Sequence, residues 1–284
     1  MEKVFRICNH DISITAPHFV RGNADWKAFE AREFNGGLNI RCIVNDRLPD
    51  VAAEECGKNA DVTVYSCKER VYRKIAMGTA EGVLSVYSPL NPDESTAYFT
   101  RESFPTMTDS RYMWNSLALP QLFLLRKTLF LHSSYVDVGG KALLFSAPCG
   151  TGKSTQAELW RTFRQAEIIN GDKSGISVCG GVYAHGVPFC GTSGICKNRT
   201  LPLGAVVFLS QSPENHVRRC TGIEAVRLFM SNTYLDFLAP QEQRMFVDTA
   251  IEIINKTPVY FYGCTPDERA VTALEKVLKS EGVV

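Results

Sequence analysis

The stretch Phe145-Ser146-Ala147-Pro148-Cys149-Gly150-Thr151-Gly152-Lys153-Ser154-Thr155 constrains this chain more than any other. An apolar run, Lys141–Ser146, leads into it, and a stretch of helical composition, Ser154–Phe163, leads out. Glycines at 150 and 152 let successive backbone N–H groups converge on one point, where an anion is held. The helix that follows turns its positive end to the same point. Such a segment requires a strand beside a helix, so it implies an α/β layer. Lys153 brings a charge suited to β- and γ-phosphates, and Ser154 brings a hydroxyl suited to Mg²⁺. The general pattern G-x-x-x-x-G-K-[ST] is met except at its first position, which is Ala147. Pro148, Cys149, Gly150, Thr151, Gly152, Lys153, Ser154 and Thr155 are therefore expected to cradle a nucleoside triphosphate, ATP with Mg²⁺. An accidental glycine-rich turn is the weaker reading.

Upstream, the first hundred residues read as short strands: Lys3–Ile7, Ile12–Thr15, Leu38–Val44, Val62–Ser66, Val71–Ala76 and Val83–Tyr87. Asn35-Gly36-Gly37 and Ser88–Pro92 supply turn chemistry between them. Ser110–Lys127 reads as mainly helical, with Pro120 placed to kink or divide it. The expected division is a β-rich domain over 1–110 and a nucleotide-binding domain over 111–284. In the second, Leu129–Val138 and Lys141–Ser146 flank Gly139-Gly140 as a hairpin, and Ile176–Val178 and Val182–His185 flank Gly180-Gly181 as another. Ile168-Ile169 and Ala205–Leu209 are further strands. At the end, Thr265 is placed to cap a helix whose apolar positions are Ala270, Val271, Leu274, Val277 and Leu278. Hairpins beside the loop favour a mixed sheet over a parallel one, so the fold class is α/β (α+β) with a mixed-sheet phosphate-loop domain.

The charge balance narrows the partners. With 31 basic and 30 acidic side chains the formal net charge is +1, which supplies no general field for nucleic acid or an anionic membrane. No apolar stretch approaches the ~20 residues that span a bilayer, and the first residues lack a signal-peptide core, so the expected location is cytoplasmic. The 10 cysteines form no C-x-x-C pairs and are expected to be reduced and mostly buried.

Three features around the loop resemble the HPr kinase/phosphorylase-like proteins, relatives of ATP-dependent phosphoenolpyruvate carboxykinases. Leu131-His132-Ser133-Ser134 looks like the family's histidine-bearing strand. Ile168-Ile169-Asn170-Gly171-Asp172-Lys173 places an acid one helix and one return strand after Lys153. His185-Gly186-Val187-Pro188-Phe189-Cys190-Gly191-Thr192 resembles its Gly-x-Pro-aromatic-x-Gly loop. The resemblance covers about 129–280 and leaves 1–110 unmatched, a region suited to substrate recognition or assembly. It departs from the bifunctional enzyme, which has two adjacent aspartates where this chain has Asp172 and Lys173. A C-terminal phosphorylase signature is missing too, so reversal on HPr is not expected.

The resemblance implies a kinase that transfers the γ-phosphate of ATP to a hydroxyl. The preferred acceptor is serine of a peptide or protein, a ribosomally made precursor peptide included. Free serine or another small metabolite is the alternative, as is a non-catalytic module that binds peptide when nucleotide is present. Homo-oligomers are common in such proteins. Asp172 is the candidate for accepting the hydroxyl proton or, with Ser154, holding Mg²⁺, and the bland alternative is a turn aspartate. His132 is a candidate partner of Asp172 or of phosphate, though strand histidines are as often structural. Lys173, the Gly186–Gly194 loop, Arg218 and Arg219 are weaker candidates for phosphate or substrate contact.

Overall fold

The computed structural model describes residues 1–18, 24–77 and 80–284. They form two compact units, Met1–Arg126 with Leu235–Phe246, and Lys127–Tyr234 with Val247–Val284. The division thus falls after Arg126 rather than at 110, and a later stretch of chain returns to the first unit. The physical reason lies in the mainly helical segment Ser110–Lys127, which is divided just before Pro120. It becomes two short helices whose apolar side chains pack within the first unit.

In the first unit the strands are β1 (Glu2–Ile7), β2 (His10–Thr15), β3 (Glu30–Ala31), β4 (Gly37–Asn45), β5 (Glu54–Lys58), β6 (Val62–Ser66), β7 (Val71–Met77), β8 (Ala80–Ser88) and β9 (Asn91–Thr100). They form one sheet in the order β3-β1-β2-β4-β9-β8-β7-β6-β5. Its pairs are antiparallel except β2–β4 and β4–β9. The β1–β2 turn has Cys8 and Asn9 both at positive φ, 51° and 62°, the backbone that matches strand twist in a two-residue hairpin. In β4 the alternation of buried Leu38, Ile40 and Cys42 with outward residues sets one face to the core.

The same unit holds the helices α1 (Ser110–Ser116) and α2 (Leu119–Leu124), and the Ser85 hydroxyl of β8 donates to the Ser116 carbonyl at the end of α1. The break between them precedes Pro120, with Ala118 in the left-handed region as the cap of α2. Trp26 meets Phe5 edge-on at 4.9 Å, and Trp114 stacks with Phe123 at 6.3 Å. The Leu235–Phe246 segment is pinned by charge. Buried Arg73 pairs with Glu242 at 3.2 Å and with Asp236, and the Tyr87 hydroxyl donates to Glu242.

The second unit contains β10 (Thr128–Val138), β11 (Lys141–Ser146), α3 (Lys153–Arg164), β12 (Glu167–Asn170), β13 (Lys173–Cys179), β14 (Gly181–Gly186), β15 (Thr200–Gln211), β16 (His216–Arg219), α4 (Gly222–Asn232), the part of α5 (Pro240–Lys256) from Val247 onward, β17 (Val259–Cys264) and α6 (Glu268–Ser280). Both expected hairpins form, β10–β11 and β13–β14. Long β10 pairs β13 along Thr128–His132 and β11 along Ser133–Val138. Long β15 starts against β14 and continues parallel to β11 and β17. The path β11-β10-β13-β14-β15 therefore closes back on β11. The sheet is mixed, as the hairpins require.

Helices α3 and α6 bury Ala157, Trp160, Ala270, Leu274 and Leu278 against Phe145, Val207 and Tyr262 of β11, β15 and β17. The cap of α6 is Asp267, not Thr265: its carboxylate accepts the Arg269 N–H, and the Thr265 hydroxyl donates to it at 2.9 Å. Asp267 wins because Pro266 precedes rather than opens the first turn. No described helix is long and apolar enough to cross a membrane. All ten cysteines are free thiols. Cys8, Cys42, Cys220 and Cys264 are buried, but Cys67, Cys149 and Cys179 are exposed, so burial is not the common fate expected of them.

Candidate functional site

Strand pairing assembles the site. On β10, His132 pairs with Lys173 at the start of β13, and its neighbour Ser133 pairs with Ser146 at the end of β11. One strand thus brings together the Asp172 turn and the loop that leaves β11. The Ser133 N–H donates to the Asp172 carbonyl at 3.0 Å, and the Ser146 hydroxyl donates to the His132 carbonyl at 2.9 Å.

Beyond β11, Ala147 is buried in the core cluster beside Phe145 and Ala157, which accounts for alanine at the first motif position. Left-handed backbone occurs where glycine stands, at Gly150 (φ 78°) and Gly152 (φ 117°). Gly152 caps α3 without a side-chain bond, so the first N–H groups of the helix stay open to a ligand. Gly152 also accepts the Gln156 N–H at 2.9 Å, the first bond of the helix. Lys153 folds back over the loop, its Nζ donating to the carbonyls of Ala147 at 2.8 Å and Pro148 at 3.1 Å. Burial lowers its pKa, opposed by the nearby Cys149 and Asp172. Ser154 and Thr155 are exposed at the loop's end.

Asp172 is presented by a turn built on Asn170. The buried Asn170 Oδ1 accepts the N–H groups of Asp172 and Lys173, both at 3.0 Å, while its Nδ2 donates to the Val187 carbonyl at 2.9 Å. Asp172 Oδ1 lies 3.4 Å from His132 Nε2, and Oδ2 lies 3.8 Å from Lys173 Nζ. The carboxyl pKa is lowered, chiefly by the His132 hydrogen bond, against the effect of burial and with help from the charges of Lys173 and Lys153. The Lys173 ammonium is itself boxed by the rings of Phe189 and Tyr234, at 3.1 and 3.7 Å from their centroids. The 186–194 loop packs close by: a Cβ on Gly191 would lie 2.7 Å from Asp172 Cβ, and one on Gly171 would lie 2.0 Å from Ser193 Oγ.

Asp172, His132, Lys173 and the Gly191 turn therefore gather at one place, with Lys153 near enough to act on the Asp172 charge. Arg218 and Arg219 do not join them. They lie on β16, pair with Glu224 and Glu281, and stack on Phe261 and Tyr260.

Beside the loop opens a cleft of about 490 Å³. Its walls are Gly150–Gly152 with Thr155 and Gln156, Gln211–Pro213 at the end of β15, and Cys264–Pro266 at the end of β17. Gln211 Nε2 reaches the Gly150 carbonyl at 3.4 Å. Ligands of such sheets bind outside the carboxyl ends of the strands, and β11, β15 and β17 all end here. Gln156, Gln211 and Thr265, which line this cleft, are not among the site residues the sequence suggests. Parallel pairing between distant segments brings them together, and no local spacing announces it.

No family model matches the chain, and no curated protein matches it. Among solved structures it is similar to the HPr(Ser) kinase/phosphatase from Coxiella burnetii, over 54% of this chain and 98% of that chain. The identity is 9% and the TM-score 0.32, too low a likeness to bear on activity.

Proposed function

We propose that the chain is a Mg²⁺-dependent kinase of the HPr-kinase-like kind, transferring the γ-phosphate of ATP to a hydroxyl, with serine of a peptide or protein as the preferred acceptor. The observation that supports it most is the His132–Asp172 pair, with His132 on β10, the strand that adjoins the glycine loop's strand β11, and Asp172 on the turn before β13. Backbone N–H groups of the loop and the open end of α3 suit phosphate oxygens. Lys153, which satisfies loop carbonyls here, has the reach and charge to turn onto the β- and γ-phosphates.

The donors fit the metal: a hydroxyl at exposed Ser154 and a carboxylate at half-buried Asp172 are the hard oxygen ligands Mg²⁺ takes. When bound, Mg²⁺ supplies neutralising charge to the phosphate oxygens. Asp172 accepts a hydrogen bond from the acceptor hydroxyl and orients it. As its oxygen bonds to the γ-phosphorus, the bond to the bridging oxygen breaks, ADP departs, and the hydroxyl proton passes to the carboxylate. His132 holds that carboxylate in place.

The test is incubation with labelled ATP and candidate seryl peptides. Wild type should yield a phosphopeptide. Asp172→Asn should lower turnover by about 10²–10⁴-fold while nucleotide still binds. Near-normal turnover in that variant would remove Asp172 from the mechanism. A chain that binds ATP and peptide without transfer would instead be a nucleotide-dependent binding module.

A further inference from the structure

Cys190 and Cys196 are separated by five residues in the chain, yet their sulfurs lie within 4.8 Å of each other. The turn between them brings this about. Gly191 and Gly194 both take left-handed backbone, at φ 54° and 67°, and reverse the chain. Ser193 fastens the reversal: its hydroxyl donates to the Cys190 carbonyl at 2.7 Å and accepts the Ile195 N–H at 3.2 Å. Both cysteines are partly exposed, so neither thiol is sealed in a core. A disulfide sets its sulfurs about 2.05 Å apart, a gap that side-chain rotation and a small movement of this turn close.

The two ends of the turn are held differently. Cys196 pairs with Asn170 in an antiparallel bridge, the Gly171 N–H donates to the Ile195 carbonyl at 3.2 Å, and the Lys197 N–H donates to the Ile169 carbonyl at 2.9 Å. These bonds tie the Cys196 end to β12. The Cys190 end lies against Asp172, where a Cβ on Gly191 would come 2.7 Å from the Asp172 Cβ. Joining the sulfurs therefore draws on Cys190 and Gly191 more than on the anchored Cys196. Any shift of Gly191 alters the packing on Asp172, whose carboxylate lies 3.4 Å from His132 Nε2.

We propose that Cys190 and Cys196 are a reversible thiol–disulfide pair, oxidised by a low-molecular-weight disulfide, and that the bond between them displaces the Asp172 turn. The thiolate of one cysteine attacks a sulfur of the small disulfide, forms a mixed disulfide and expels one small thiolate. The second cysteine's thiolate then attacks the cysteine sulfur of that bond, expels the other small thiolate and completes the bridge. The two cysteine protons end on the two released thiols, so the small disulfide gains the two electrons that the pair loses. The bond and its effect on the turn stand apart from the proposed function, whereas a loss of turnover rests on it.

The experiment treats the full chain with oxidised glutathione, alkylates the remaining thiols and fragments the tryptic peptide 174–197 by mass spectrometry. Hydrogen exchange over 168–176 and transfer from labelled ATP are read on the same samples. Wild type should show a Cys190–Cys196 bridge, lighter by two hydrogens, with Cys179 of the same peptide outside it. Exchange across the Asp172 turn should change, and turnover should fall by about 10²-fold, as a displaced catalytic group requires. Dithiothreitol should reverse all three. Cys196→Ser should match reduced wild type in turnover and form no bridge. Oxidation at exposed Cys149 acts on both proteins alike, so the difference between them isolates the pair. Alkylation of both cysteines after oxidation, or glutathione left on either without a bridge, would overturn the inference. So would a bridge that leaves exchange over 168–176 unchanged. If reduced wild type transfers no phosphate, the kinase reading falls, and the bridge and the exchange alone decide this one.

Discussion

Removing the Asn170 side chain tests how the Asp172 turn is built. Asn170 is fully buried, and its carboxamide holds three backbone groups: the N–H groups of Asp172 and Lys173 and the carbonyl of Val187. In Asn170→Ala the two N–H groups lose that partner, at about 1–3 kcal/mol apiece for a buried group, while the Val187 carbonyl keeps the Phe189 N–H at 2.7 Å. Water entering the vacated space recovers part of this, so a net loss of about 3 kcal/mol is expected. That is a sizeable fraction of the roughly 5–15 kcal/mol that stabilises a domain. With a urea slope of about 2 kcal/mol per molar, the midpoint should fall by about 1.5 M. Pulsed hydrogen exchange read on peptides from β10 and β13 reports the second unit separately from the first. Turnover should fall along with stability, because Asp172 loses the turn that presents it. A midpoint shift below about 0.5 M would refute the reasoning, since the three bonds would then be replaceable at little cost.

Gly171→Ala puts a Cβ 2.0 Å from Ser193 Oγ, and overpacking of this kind costs about 1–3 kcal/mol. Adding Ser193→Gly should restore most of the loss in thermal melts, and a double variant as unstable as the single would exclude that contact as the cause. Arg73→Met strands buried Glu242, whose pKa burial already raises, and should cost about 3–5 kcal/mol in urea unfolding. Pairing it with Glu242→Leu should recover much of that, whereas no recovery would argue against an uncompensated charge. Asp267, held at a pKa of about 2 chiefly by Arg269, contributes stability that is present above about pH 4 and lost as pH falls toward 2. Asp267→Asn keeps a capping oxygen but cannot titrate, so its melting temperature should vary less with pH across that window, and an unchanged pH dependence would contradict the assignment.

Much of the second unit is legible from the chain alone because its signals are local. Gly139-Gly140 and Gly180-Gly181 mark two-residue turns, and the apolar spacing from Ala270 to Leu278 marks a helix. Gly150, Gly152 and Lys153 specify the phosphate loop through backbone freedom and charge, properties that residues carry wherever they fold. Asp172 stands out by its distance along the chain from the loop, and His132 by the apolar strand around it.

What the chain alone leaves open is how distant segments meet. That β10 serves both β13 and β11, and so sets His132 and Asp172 beside the loop, depends on register across the whole sheet. That β11, β15 and β17 run parallel, and so bring Gln156, Gln211 and Thr265 around one cleft, depends on burying their shared apolar faces under α3 and α6. The return of Leu235–Phe246 to the first unit depends on Arg73 finding Glu242, residues that look like ordinary surface charges in sequence. The sequence by itself determined a phosphate loop and the elements around it, because glycine, proline and periodicity act on their nearest neighbours. Only the tertiary structure decided what faces that loop, because packing and pairing join residues that no local pattern connects.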